Sequence, residues 1–135
     1  MILSVEVDGE VPIYQQLRDR VVEAIADGCL RVGDPLPATR RLAADLGINM
    51  HTVNKAYDLL RGEGLIRVAR RTGAVVVRDA SSGPPPADVA DEWEDRARTL
   101  LAEAVAKGLD SEDVTRRVQR ILESFPNGSS VRPAV

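Results

Sequence analysis

The stretch LPATRRLAADLGINMHTVNKAYDLLRGEG, residues 36–64, constrains this chain more than any other. Leu42, Ala43 and Leu46 recur at the spacing of one helix face, and Val53, Ala56, Tyr57 and Leu60 do so again further on. Between the two stripes lies Leu46-Gly47-Ile48-Asn49. Gly47 suits a backbone position of positive φ, and Asn49 is a good N-cap for a following helix. The segment reads as two short helices, about 38–46 and 50–61, joined by a tight turn. A helix-turn-helix of this kind lays its second helix in the DNA major groove.

Charge at first argues the other way, because the 135-residue chain carries a net −3. The mean hides an asymmetry. Residues 39–78 hold eight basic side chains (Arg40, Arg41, Lys55, Arg61, Arg67, Arg70, Arg71, Arg78) against Asp45, Asp58 and Glu63, a local +5. Residues 79–135 carry −4. Binding DNA needs a basic face and not a basic protein. Arg40 and Arg41 fall in the first turn of the first helix, where the helix dipole favours anions; two solvated surface arginines are the plainer reading, and within a helix-turn-helix an external phosphate is the favoured partner. The exposed start of the second helix presents His51, Thr52, Asn54 and Lys55. Asn pairs with adenine through two hydrogen bonds, and Lys reads guanine or holds phosphate.

Upstream, residues 2–8 alternate apolar and polar and read as a short strand or extended arm. Pro12 suits a first helical turn, and Ile13, Leu17, Val21 and Ile25 with Val22 mark a helix over 13–27 that Gly28 stops. Residues 29–37 read as a loop in which Leu30 and Leu36 plug the core. Cys29 reads as a small buried hydrophobe, and as the single cysteine it can form no internal disulfide, which fits a reducing cytoplasm.

Downstream, residues 65–68 and 74–77 are two β-prone runs around residues 69–73, a hairpin with Gly73 in the turn. A hairpin directly after the second helix is a wing, and its tip carries Arg70, Arg71 and Thr72, suited to the minor groove or flanking phosphates. Residues 79–87, DASSGPPPA, make a linker. A helix over 88–107 then sets Trp93, Ala97, Leu100, Leu101, Ala104 and Val105 on one side, with Trp93 read as plain core. A second helix runs from an Asp110 or Ser111 cap to about Phe125 and aligns Val114, Val118, Ile121, Leu122 and Phe125. Two helices with one apolar stripe each make no protected core, so pairing with a second subunit is expected, with Trp93, Ala97, Leu100, Leu101, Ala104, Val114, Val118, Ile121 and Leu122 at the dimer interface. Folding back onto the winged domain is the alternative. Residues 126–135 read as a disordered tail.

The fold class expected is α+β, mostly α. An N-terminal winged helix-turn-helix over 1–78 precedes a linker over 79–87 and a two-helix dimerisation hairpin over 88–125.

From Pro12 to Val77 the sequence resembles the DNA-binding domain of GntR-type bacterial regulators. The matching pieces are Pro12-Ile13-Tyr14-Gln15-Gln16-Leu17, Gly33-Asp34-Pro35-Leu36-Pro37, Thr39-Arg40-Arg41-Leu42-Ala43, Leu46-Gly47-Ile48-Asn49, Thr52-Val53-Asn54-Lys55-Ala56-Tyr57, and Leu60 with Glu63-Gly64-Leu65-Ile66. The short tail resembles the YtrA-like subfamily. The resemblance implies a homodimer on a palindromic operator, usually as a repressor. It implies DNA contacts from Arg40, from Asn49, His51, Thr52 and Asn54 with Lys55 close by, and from the wing tip Arg70, Arg71, Thr72 and Gly73; Thr39 and Arg41 are taken as candidate contacts beside them. Ala38 stands where the family often has a capping Ser, and Met50-His51 replaces a commoner Pro-Asn-like pair, which bears on operator sequence.

A winged helix that pairs with proteins and has lost DNA binding is the competing function. An enzyme has the least support: no phosphate loop follows a strand, no nucleophile sits in a recognised motif, and His51 is the single histidine. Neither a cofactor nor a metal site is expected. The absence of a long apolar run argues against a membrane span, and the N-terminus lacks the features of a signal peptide, so the location expected is cytoplasmic. The sequence leaves open whether a small-molecule effector acts.

Overall fold

A computed structural model describes residues 4–69 and 73–126. The chain divides into two compact units between Ser82 and Gly83.

The first unit begins with α1, Ile13–Ala26, which buries Leu17, Val21 and Ile25, the four-residue stripe of the sequence. Gly28, at φ 82°, turns the chain back so that Leu30 N–H donates to the Ala24 carbonyl at 3.1 Å. That turn sends Leu30, and not Cys29, into the core. Cys29 is exposed, against its expectation as a buried hydrophobe.

Of the two readings for residues 2–8, a short strand or an extended arm, the described part is not a strand. Residues 4–8 have no partner strand, and Gln16 supplies their hydrogen bonds instead. Its Oε1 accepts from Glu6 N–H at 2.7 Å, while its Nε2 donates to the carbonyls of Glu6 and Val11.

The loop over 29–37 contains a short strand, β1, Pro35–Leu36. It is followed by α2, Thr39–Leu46, and α3, Met50–Gly62. Then come β2, Ile66–Ala69, and β3, Gly73–Val76. The three strands form one antiparallel sheet in the order β1-β3-β2, with Leu36 opposite Ala74 and Ile66 opposite Val76. Pro35 lies on an edge strand, where its missing N–H breaks no ladder.

Apolar side chains from all these elements close one aliphatic core: Leu17, Val21, Leu36, Val53, Leu60 and Val76 are each less than 2% exposed. Tyr57 joins it, 3% exposed, with its hydroxyl donating to the Pro37 carbonyl at 2.7 Å. At the rim, Arg18 reaches across from α1 to form a two-nitrogen pair with Glu63, the cap residue after α3, the shortest contact being 2.7 Å.

The first unit ends in a local knot of hydrogen bonds. The Asp79 carboxylate accepts from the Ser81 hydroxyl, from Val32 N–H at 2.9 Å and from Ser81 N–H at 2.8 Å. These donors, the Ser81 hydroxyl foremost, hold its pKa down to about 2. The linker thereby starts from a point fixed to the loop after α1.

The second unit contains α4, Ala87–Ala106, and α5, Ser111–Glu123, with Gly108 at φ 89° between them. Neither helix buries a single residue. Trp93, read as core, is 61% exposed, and Leu100, Leu101, Val105, Val118, Ile121 and Leu122 are exposed as well. Residues 127–135, which include all but the first residue of the expected disordered tail, lie outside the described residues.

Candidate nucleic-acid interface

The geometry of the interface starts at the turn. Gly47 sits at φ 69°, and Ile48 N–H donates back to the Ala43 carbonyl at 3.0 Å, which ends α2 in a left-handed cap. Asn49 Oδ1 accepts from His51 N–H at 2.7 Å and starts α3 at once. Val53, Ala56, Tyr57 and Leu60 then anchor one face of α3 in the core. The Tyr57–Pro37 hydrogen bond ties that anchored face to the chain just before α2, so the two helices keep a fixed crossing. Burial has a second consequence: it pushes the Tyr57 hydroxyl up to about 12.

The outward face of α3 carries the expected reading residues. His51 and Lys55 are exposed, and Thr52 and Asn54 are half-buried. Thr52 N–H is bonded to the Asn49 carbonyl at 3.0 Å, so at Thr52 only the side chain is available to a ligand. Asn49 is exposed, but its Oδ1 already serves as the helix cap.

On α2, Thr39 is half-buried, while Arg40 and Arg41 are exposed. The helix has no side-chain cap, as the Ala38 position foretells. Arg41 lies 3.9 Å from Asp45, a loose surface pair. Arg40 makes no ion pair among the described residues. The structure thus separates the two arginines, which the sequence treats alike.

The wing-tip residues Arg70, Arg71 and Thr72 lie outside the described residues. Gly73 is buried, and a Cβ built there would meet the Leu36 carbonyl oxygen at 2.7 Å and Ala38 N at 3.0 Å. The absence of a side chain there lets β3 pack closely against the entry to α2. That contact places the base of the wing beside the arginine-bearing helix.

Two residues escape the sequence reading. Tyr14, on α1, lies under the Lys55 ammonium, 3.9 Å from nitrogen to ring centroid. Its position in a motif gave no hint of this, because forty residues of chain lie between Tyr14 and Lys55. Arg67 is exposed on β2, and only its contribution to local charge was visible in advance. Among the described residues no group of three His, Cys, Asp or Glu is placed to hold a metal. No helix among them is long and apolar enough to cross a membrane.

Three helices and a three-stranded wing sheet, with the Asn49-capped helix α3 turning its polar face outward, define a winged helix-turn-helix, the fold of DNA-binding transcriptional regulators. Residues 13–76 match the family model described as bacterial regulatory proteins, gntR family. The chain is 30% identical over 119 residues to the HTH-type transcriptional regulator Rv1152 of Mycobacterium tuberculosis, covering 88% of this chain and 93% of that protein. It is 32% identical over 80 residues to the HTH-type transcriptional repressor YtrA of Bacillus subtilis, covering 59% of this chain and 62% of YtrA. Among solved structures it resembles YtrA from Sulfolobus acidocaldarius, a GntR-family transcription factor, at 37% identity and a TM-score of 0.60, covering 78% of this chain and 99% of that one. Other curated relatives are longer proteins, of which the chain spans between 15% and 28%. The chain belongs to the GntR family, and its likeness to the two YtrA proteins places it with the YtrA-like members.

Proposed function

We propose that the protein is a repressor that binds a palindromic operator as a homodimer, with α3 in the major groove and the wing tip on the minor groove or phosphates. The observation that carries this reading is the pairing of exposed, unpaired Arg40 with the outward polar face of α3. Arg40, with Arg41, Lys55, Arg70 and Arg71, holds phosphates, and His51 and Asn54 discriminate bases. Repression is supported by the likeness to the Bacillus subtilis repressor.

Residues 1–78 carry DNA binding in this reading, 79–87 the linker, and 88–125 the dimer contact. The unburied apolar stripe of α4 and α5 supports the last assignment, because a lone chain leaves it in water. Two-fold symmetry then sets the recognition helices about 34 Å apart, one turn of DNA. The protein acts in the cytoplasm and catalyses no reaction, in keeping with relatives that are transcriptional regulators.

Titration of DNA duplexes at several salt concentrations tests this. Arg40→Ala should weaken binding to every sequence and lower the salt slope by about one. Asn54→Ala should relax preference at one base position by about 1–3 kcal/mol and leave the salt slope unchanged. Unchanged affinity and slope in Arg40→Ala would remove the assignment.

A further inference from the structure

Lys55 stands on the second turn of α3, one residue from Asn54, and could serve bases or backbone. Its surroundings decide between them. The ammonium rests 3.9 Å from the centroid of the Tyr14 ring, which belongs to α1 and not to the helix-turn-helix. Tyr14 is itself half-buried and packed against the core, so the ring is a fixed platform. A lysine ammonium over an aromatic face is held by the ring quadrupole. The ring occupies one side of the ammonium and leaves N–H donors on the other for an oxygen.

We infer that Tyr14 is a positioning residue for DNA binding: its ring draws Lys55 toward α1, away from the base-reading edge, and presents it as a phosphate-holding cation. A free lysine side chain must give up most of its rotamer freedom when it grips a phosphate. Over Tyr14 much of that freedom is already lost before DNA arrives, so binding is favoured. Lys55 on this account adds affinity for any sequence, and base choice falls to His51, Thr52 and Asn54. The inference rests on the DNA-binding reading above and sharpens it by giving the hold of Lys55 on phosphate a structural cause.

A double-mutant cycle on the full chain tests it, using a random-sequence DNA duplex at several salt concentrations, with thermal melts to confirm that each variant is folded. Tyr14→Phe keeps the ring and should bind within about twofold of wild type. Tyr14→Leu should lose about two- to fivefold. Lys55→Met should lose more and lower the salt slope by about one. Tyr14→Leu placed on Lys55→Met should cost nothing further.

Proton NMR of the DNA-free protein supplies an independent reading. The Lys55 ε-methylene signals should be shifted upfield by the ring in wild type and Tyr14→Phe, and not in Tyr14→Leu. Independent, multiplying losses in the double variant would overturn the inference. So would a Tyr14→Phe variant as weak as Tyr14→Leu, which would make the hydroxyl the contact. A wild-type protein that binds no duplex would instead overturn the DNA-binding reading itself, whatever the NMR shows of the Lys55–Tyr14 contact.

Discussion

At the scale of single residues, Tyr57 shows how one side chain can serve both core and interface. Its ring fills the core, and its hydroxyl fixes the segment that leads into α2. The hydroxyl ionises near 10.0 in the unfolded chain and only at about 12 in the fold, because burial disfavours the charged form. Both states keep the proton below pH 10, so stability there is undisturbed. Between pH 10 and 12 the unfolded chain ionises first, and stability falls by roughly 2–3 kcal/mol in total. Chemical denaturation followed across that window should show the fall in wild type and a flatter profile in Tyr57→Phe. At neutral pH the same variant should lose about 1 kcal/mol, since the Pro37 carbonyl is left without its donor. Gly47 and Asn49 were legible at this scale because their conformations are local. Cys29 and Tyr14 were not: exposure and a contact across helices depend on where distant chain is brought.

At the scale of elements, the wing and α2 are one mechanical piece. β1 pairs with β3, and Gly73 enters β3 at φ 83° with no room for a side chain against Leu36 and Ala38. Gly73→Ala meets both a strained backbone and a rigid backbone neighbour. It should cost about 2–3 kcal/mol and lower the melting temperature of the winged unit by roughly 10 °C. A calorimetric melt measures this, and a change of less than about 1 °C would mean that the close approach does not constrain the wing. The helices were readable because their apolar periods are set by each element alone. The two-residue β1 was not, since two residues carry no period and pair only because β3 arrives beside them.

At the scale of the whole molecule, the two units differ in how they satisfy their apolar surface. The first closes a core on itself, and the second leaves its stripe open. Leu101 borders a groove with Trp93, Ala97 and Val105 on one side and another with Val114, Val118 and Leu122. If α4 and α5 join two copies, Leu101→Glu should convert a dimer to a monomer in sedimentation velocity at micromolar concentration. Operator affinity should fall about a hundredfold, because two half-sites would no longer be held by one linked molecule. A Leu101→Glu protein that sediments as a dimer would exclude this face as the contact.

The sequence by itself determined the helices of the winged unit, the turn at Gly47 and Asn49, the aliphatic core and the basic window, because spacing, capping and composition act within a few residues. The tertiary structure alone decided which of the like-seeming side chains are engaged. It put Cys29 outside, left Arg40 unpaired while Arg41 leans toward Asp45, and packed Gly73 against the backbone of Leu36 and Ala38. It also set Lys55 over Tyr14. Each of these depends on elements far apart in the chain meeting in space, and no local pattern encodes such a meeting.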